Sequence, residues 1–112
     1  MNSNVIIPTK KFQGEAKRLL KKFSSLKNEL INLYKELEDK PNLGTSLGNG
    51  IYKIRVAVRS KGKGKSGGLR IITYCMEERN DGFDIYLISI YDKSEEATIT
   101  KDEVLKEIKT FL

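Results

Sequence analysis

Residues 51–76 constrain the fold of this chain more strongly than any other part of it. In residues 51–59, apolar side chains alternate with mostly cationic ones, which is the period of a strand buried on one face only. Residues 60–68 contain only serine, glycine and lysine, and residues 69–76 are again largely apolar and rich in β-branched side chains. The segment therefore predicts two antiparallel strands joined by a loop.

Positive charge is concentrated in the same segment. Residues 51–76 contain seven basic residues and no acidic one, whereas residues 77–112 contain five basic and ten acidic residues. The whole chain has a formal net charge of +6 and a pI near 9.4. Because a surface that needs only solubility tends to mix its signs, this distribution predicts that the middle of the chain binds a polyanion such as a phosphate backbone.

Length and composition exclude several classes of protein. The 112 residues suffice for one domain with a modest core and are too few for two. The chain has no histidine, which excludes histidine–metal sites, serine–histidine triads and a ribonuclease-type histidine pair. Its one cysteine, Cys75, is predicted to be a small buried residue in a reducing compartment. Since no segment resembles a signal peptide or a membrane span, we expect a cytoplasmic protein without metal or cofactor.

The first forty residues predict a short strand and two helices. Residues 5–7 are an apolar run that Pro8 ends. The apolar stripe of the first helix, which is basic on its other faces, comprises Phe12, Ala16, Leu19, Leu20 and Phe23. Ser24 and Ser25 end this helix and can cap a second one. The apolar positions of the second helix are Leu26, Leu30, Leu33, Tyr34 and Leu37. The short break predicts a helical hairpin packed on a sheet.

The rest of the chain predicts further strands and a last helix. Residues 41–50 are rich in turn formers and are predicted to be a loop. Residues 80–82, Asn-Asp-Gly, predict a tight hairpin turn before residues 84–91, which are apolar almost throughout, as in a central strand covered on both faces. Thr100 and Glu103 have the spacing of a capping box. The helix that follows has inward-facing positions at Val104, Ile108 and Phe111.

These elements predict an α+β fold in a single domain over residues 1–112. A short N-terminal strand and a two-helix hairpin pack with a mainly antiparallel four-stranded sheet and a C-terminal helix. Residues 62–67 satisfy the pattern G-x-G-x-x-G, but a strand rather than a helix is predicted to follow them. A dinucleotide site needs a helix there, so that interpretation is rejected.

Three motifs fall within this order of elements. Residues 52–56 read Tyr-Lys-Ile-Arg-Val, residues 62–74 read Gly-Lys-Gly-Lys-Ser-Gly-Gly-Leu-Arg-Ile-Ile-Thr-Tyr, and residues 90–95 read Ile-Tyr-Asp-Lys-Ser-Glu. With them, nearly the whole chain resembles the RelE/ParE superfamily of toxins from bacterial type II toxin–antitoxin modules, and most of all the RelE/HigB-type toxins. The glycine–lysine stretch followed by a β run is the most specific part of this resemblance.

The resemblance implies a ribosome-dependent mRNA endonuclease. Such toxins enter the A site of the 70S ribosome, cut the mRNA there by attack of a 2′-hydroxyl on the adjacent phosphate, and are neutralised by a cognate antitoxin, expected here to be of the helix-turn-helix type. The family's basic site residues correspond in this sequence to Lys53, Arg55, Arg70 and Lys93. The C-terminal tyrosine of RelE has no counterpart, because Phe111 and Leu112 stand in that region. Tyr74 or Tyr91 would have to replace it.

Elementary chemistry favours the same residues. Without histidine, a lysine beside other cations is a suitable base, because neighbouring positive charge favours the neutral amine. Lys53 beside Arg55 on one strand face is such a lysine. Arg70 stays protonated, and its planar fork suits a bidentate hold on a phosphate. Lys93 is expected to assist the leaving oxygen.

Other basic and aromatic residues are predicted to contact RNA or the ribosome. A loop flanked by glycines positions atoms poorly, so its lysines suit backbone docking better than chemistry. The predicted contact residues are Arg59, Lys61, Lys63, Lys65, Tyr74, Tyr91, Lys10, Lys11, Lys17 and Arg18. Two alternatives remain open: a non-catalytic RNA- or ribosome-binding module that uses the same surface, and a ParE-like toxin that acts on gyrase. The lysine-rich loop and the basic strand residues count against the gyrase alternative.

Overall fold

The computed structural model describes residues 4–62, 67–79, 82–95 and 99–111. Five strands and three helices follow one another within these residues. They are β1 (Val5–Pro8), α1 (Lys10–Lys22), α2 (Leu26–Asp39), β2 (Thr45–Gly48), β3 (Ile51–Val56), β4 (Leu69–Arg79), β5 (Gly82–Asp92) and α3 (Lys101–Ile108). No helix among the described residues has both the length and the apolar composition needed to cross a bilayer.

The five strands form one mixed sheet in the order β1-β5-β4-β3-β2. β1 is parallel to β5, and every other neighbouring pair is antiparallel. The predicted α+β class and the antiparallel arrangement of the last three strands are therefore confirmed. β5 lies between β1 and β4 and is buried along most of its length, as predicted for a central strand.

The fifth strand is β2, which lies inside the segment predicted to be a loop. Thr45 pairs with Lys53, and Gly48 pairs with Ile51, so β2 and β3 form a hairpin at the edge of the sheet. The turn between them has positive φ at three successive residues, 48–50, of which Asn49 is the only one that is not glycine. The turn-forming composition correctly marked this bend. It did not reveal that the residues before the bend pair with β3.

The two faces of the sheet carry different layers. α1 and α2 pack on one face, and their core includes Ile54 and Val56 of β3 together with Leu69 and Ile71 of β4. α3 packs on the opposite face, above a smaller core that includes Ile51, Ile72 and Ile88. Because successive strand residues point to opposite faces, Lys53, Arg55 and Arg70 lie on the face that carries α3.

Several predicted details differ from the structure. Leu20 was assigned to the buried stripe of the first helix, but it is 39% exposed, since the stripe that faces the sheet is narrower. The strand predicted over residues 51–59 ends at Val56, and β4 extends beyond residue 76 to Arg79. Arg79 pairs with Gly82, which makes β4 and β5 a hairpin, while Asn80 and Asp81 lie outside the described residues.

Capping side chains define the ends of the helices. Thr9 caps α1 by accepting a hydrogen bond from the Phe12 amide, and Thr100 and Glu103 form the predicted capping box of α3. Ser25 occupies the N-cap position of α2, but its hydroxyl makes no capping bond. It donates instead to Glu29 and contacts Ser60. The predicted cap is therefore correct in place and wrong in its bonding.

Two glycines give a matched prediction about this architecture. A Cβ on Gly44, whose φ is +98°, would lie 2.5 Å from the carbonyl oxygen of Lys53. We expect Gly44→Ala to destabilise the protein by about 1–3 kcal/mol, because both the backbone conformation and the contact are unfavourable. Gly14 lies inside α1 with open space around it, and Gly14→Ala should stabilise by about 0.5–1 kcal/mol. Urea unfolding of both variants measures the signs; two changes of the same sign would contradict this account.

Candidate active site on the sheet

Three of the predicted site residues form one row across the sheet. Arg55 of β3 is paired with Arg70 of β4, and Arg70 is paired with Tyr91 of β5. Side chains at directly opposed positions on one face lie about 4.5–5.5 Å apart at Cβ, so the row brings two guanidinium-bearing residues and a phenol together. Lys53 lies on the same face, two residues away along β3 and opposite Ile72.

A bulge in β5 places Tyr91 on this face. The register shifts between Ile72–Ser89 and Thr73–Leu87, so Ile88 has no partner residue on β4. Because of this extra residue, Ile88 and Tyr91 both belong to the core on the α3 face although three positions separate them. Glu15 of α1 supports the bulge by accepting hydrogen bonds from the Ser89 hydroxyl at 2.9 Å and the Ile90 amide at 3.3 Å.

Exposure differs sharply along the row. Arg55 is exposed and Lys53 is half-buried, whereas Arg70 is 3% exposed and Tyr91 is 1% exposed. The Arg70 Nη1 group donates a hydrogen bond to the carbonyl oxygen of Leu69 at 3.3 Å. Two cations directly opposite each other on a sheet both attract an anion that binds between them. The row is thus suited to hold a phosphate, with Arg55 on the outside and Arg70 beneath.

Lys93 lies near the same end of the sheet. It is the first residue after β5, it is exposed, and Tyr91 precedes it by two positions. Asp92, between them, is paired with Leu69, the residue immediately before Arg70. The register therefore places Lys53, Arg55 and Arg70 on one face of β3 and β4, and Lys93 follows the end of β5, two positions after Tyr91. Their catalytic roles stay predictions.

Tyr74 lies away from this row. It is paired with Ile51 and Tyr86, and Ile72 separates it from Arg70 on the same face of β4. Its ring centroid is 6.2 Å from that of Tyr86, which in turn is 4.9 Å from the ring of Phe111. Tyr74 thus belongs to an aromatic cluster beside α3. Of the two tyrosines considered as a replacement for the missing C-terminal tyrosine, only Tyr91 neighbours Arg70.

Lys61 forms a nearly buried ion pair at the start of the β3–β4 loop. Its Nζ atom is 2.6 Å from Oδ1 of Asp92, and the two side chains are 12% and 2% exposed. The same carboxylate oxygen accepts hydrogen bonds from the amide and the hydroxyl of Ser94, at 3.0 and 2.7 Å. Burial alone raises the pKa of Asp92, but these hydrogen bonds and the ammonium charge together lower it below its ordinary value.

The base of the β3–β4 loop is also tied to the helical layer. The backbone amide of Arg59 donates to Glu29 at 2.8 Å, and the amide of Ser60 donates to the Ser25 hydroxyl at 3.0 Å. The Arg59 side chain itself is exposed. Lys63 and Lys65, the other two predicted docking lysines, lie outside the described residues. Sequence reasoning missed Glu29 and Asp92, because an isolated carboxylate in a sequence does not reveal which distant amide or ammonium it contacts.

The predicted basic residues of α1 are exposed, but they lie in the layer opposite the arginine row. Lys11 forms an ion pair with Glu15 at 3.0 Å, and Arg18 forms one with Glu95 at 3.4 Å. The neighbouring Lys22 also forms an ion pair with Glu95. The sheet lies between these α1 residues and the face that carries Lys53 and Arg55. The remaining members of this group are Lys10 and Lys17.

Comparison with known families agrees with this arrangement of elements. The family model described as the RelE toxin of the RelE/RelB toxin–antitoxin system matches residues 6–111. This range includes all the described strands and helices, except for the first residue of β1. Membership of that family implies an antitoxin partner. The chain belongs to the RelE toxin family of toxin–antitoxin systems.

Proposed function

We propose that this toxin is an endoribonuclease that enters the ribosomal A site in the cytoplasm and cleaves mRNA there, thereby inhibiting translation. The observation that carries the proposal is the row Arg55–Arg70–Tyr91, with Lys53 on the same face of β3. Phosphodiester cleavage needs positive charge on the nonbridging oxygens and groups that move two protons. The row and its neighbouring lysines offer both without a metal ion.

Each basic residue has a proposed task in this reaction. Lys53 accepts the proton of the 2′-hydroxyl as the 2′-oxygen attacks the adjacent phosphorus. Arg55 and Arg70 hold the nonbridging oxygens and stabilise the additional negative charge of the phosphorane. The 5′-oxygen leaves with a proton from the Lys93 ammonium, so the products are a 2′,3′-cyclic phosphate and a 5′-hydroxyl end.

The remaining basic residues are proposed to dock the toxin rather than to take part in the reaction. Contacts between cationic side chains and phosphates position a protein without requiring accurate geometry. Arg59 with the loop lysines Lys63 and Lys65 would contact RNA beside the row, while the α1 residues would contact ribosomal RNA on the other side of the molecule. The antitoxin, which we expect to contain a helix-turn-helix domain, would neutralise the toxin by preventing it from binding the ribosome.

Cleavage of a defined message in a reconstituted translation system tests the proposal. Purified toxin should cut labelled mRNA only when ribosomes translate it, and the upstream fragments should end in a 2′,3′-cyclic phosphate. Primer extension locates the cuts, which should move with the ribosome when a stalling codon is moved. Intact mRNA in the presence of salt-sensitive ribosome binding would contradict cleavage, and intact mRNA with inhibited gyrase would assign the ParE-like activity.

One observation favours a second candidate, a toxin that binds the ribosome without cutting mRNA. Arg70 is 3% exposed, so the guanidinium group best suited to a phosphorane lies mostly below the surface. The exposed cations Arg55 and Lys93 would then serve binding alone. The translation assay separates the two candidates, because only the first produces new RNA ends.

The two tyrosines give a prediction about the site. Tyr91 is the cross-strand neighbour of Arg70, whereas Tyr74 lies in the aromatic cluster beside α3. If the Tyr91 hydroxyl contacts the phosphate that the arginine pair holds, Tyr91→Phe should slow single-turnover cleavage about tenfold, the size of one hydrogen bond lost to the substrate. Tyr74→Phe is the matched control and should change the rate by less than about twofold. Equal rates in the two variants would remove Tyr91 from the site.

A further inference from the structure

The contacts of Lys61 differ from those expected of a docking lysine. A lysine that binds a phosphate backbone normally keeps its ammonium group in water until the ligand arrives. Here the Lys61 ammonium contacts Oδ1 of Asp92, also lies within 3.5 Å of the Ser94 hydroxyl, and is 6.0 Å from the centroid of the Phe23 ring. Only 12% of its side chain is exposed.

We propose that Lys61 and Asp92 are a positioning pair that attaches the start of the β3–β4 loop to the end of β5 and so aligns Lys61, Gly62 and Lys93 with the arginine row. This inference rests on the proposed RNA cleavage and assigns different roles to the basic residues. Lys61 organises the site through another side chain, and the exposed cations contact the RNA.

The position of Asp92 makes such a role possible. Asp92 is the last residue of β5 and is paired with Leu69, so the next pair along the two strands is Arg70 and Tyr91. Lys93 follows directly, and Ser94 is held by two hydrogen bonds to the Asp92 carboxylate. A single side chain therefore contacts the segment that carries Lys93 and the segment that begins the loop.

The backbone around Lys61 completes the attachment. The amides of Lys61 and Gly62 donate to the carbonyl oxygen of Val58 at 2.9 and 3.2 Å, which closes a turn directly after β3. The ion pair then connects this turn to the end of β5. Moving Lys61 onto a phosphate would leave the carboxylate of Asp92 buried without its cation, which is unfavourable. The geometry therefore favours a fixed pair over a lysine that changes partner when RNA binds.

A double-mutant cycle on the full-length toxin tests the pair. Lys61→Met keeps an unbranched side chain near Phe23 and removes the charge, whereas Asp92→Asn keeps an oxygen acceptor for Ser94. Each change should lower kcat for ribosome-dependent cleavage by about tenfold and alter KM by less than about threefold, and the double variant should be no slower than the slower single variant. Glu95→Gln is the control, because Glu95 forms ion pairs in the same segment without contacting Lys61.

The opposite result identifies Lys61 as an RNA ligand. In that case Asp92→Asn would leave kcat unchanged or raise it, while Lys61→Met would raise KM and reduce the salt dependence of ribosome binding. A fall in thermal stability with unchanged kcat in both single variants would also overturn the proposal, since it would show a purely structural pair.

Hydrogen exchange gives a second measurement that does not depend on cleavage. The amides of Lys61 and Gly62 should exchange at least about tenfold faster in both single variants than in wild type, and they should be unaffected in Glu95→Gln. If wild-type toxin leaves mRNA intact, the proposed function fails, and the exchange rates still decide whether the pair orders the loop. Equal exchange in all four proteins would overturn the positioning pair.

Discussion

Arg70→Lys is expected to slow single-turnover mRNA cleavage by about 10²- to 10³-fold, the usual effect of removing one donor that stabilises transition-state charge. Lysine retains the positive charge but not the planar fork, and its ammonium group has only one point of contact with the two nonbridging oxygens. The measurement is the rate constant for cleavage of labelled mRNA on stalled ribosomes at saturating toxin.

Two further measurements separate this effect from a loss of binding or folding. Ribosome affinity and the unfolding midpoint should change little in Arg70→Lys, because charge is conserved and most of the side-chain volume remains. Arg55→Lys should show a smaller loss of rate, about tenfold. Arg55 is exposed, so water can replace the contact that the reacting phosphate loses. Undiminished cleavage by Arg70→Lys would refute a bidentate role for Arg70.

Asp92→Ala is expected to lower the free energy of unfolding by about 3–5 kcal/mol, the largest stability effect that we predict in this chain. The change leaves the ammonium group of Lys61, whose side chain is 12% exposed, without its counter-ion, and it removes the acceptor of the two Ser94 hydrogen bonds. Urea unfolding followed by circular dichroism measures the difference from wild type.

Glu95→Ala provides the matched control in the same segment. Glu95 pairs with Arg18 and Lys22 at the surface, and such solvent-exposed pairs contribute little to stability. We therefore expect a much smaller change than for Asp92→Ala. Similar losses in the two variants would show that burial of the Lys61–Asp92 pair does not determine its contribution.

The same pair gives stability a defined pH dependence. Because the folded-state pKa of Asp92 lies below its ordinary value, its contribution is complete above the unfolded-state pKa of about 3.9 and is lost as the pH falls through the lower folded-state value. Wild-type stability should therefore fall more steeply below pH 4 than that of Asp92→Asn. Glu95 also has a lowered pKa, owing first to its hydrogen bond from Lys22, so the comparison is best made in a Glu95→Gln background.

Local patterns predicted the fold well where burial follows from sequence spacing. The alternation in residues 51–56 correctly identified β3 and its buried face, with Ile54 and Val56 under the helices, and the Thr100–Glu103 capping box correctly located the start of α3. These features depend on neighbours within a few residues, which the sequence displays directly.

Details that depend on distant partners were missed. The residues of β2 have no β-branched or aromatic side chains apart from Thr45. They form a strand because they pair with the edge of β3. Leu20 matches the apolar spacing of α1 and is nevertheless exposed, because the contact surface of the sheet decides how wide the buried stripe is. The sequence also did not reveal that Lys61 contacts Asp92, thirty-one positions away.

The sequence by itself determined that this toxin has one strand–loop–strand segment with seven cations and no acid, since composition and alternation are local properties. Only the tertiary structure decided which of those cations become neighbours. Strand register pairs Arg55 with Arg70, and a bulge at Ile88 turns Tyr91 to the same face. Register is set by the packing of whole strands, and a shift of one residue would turn every side chain to the other face.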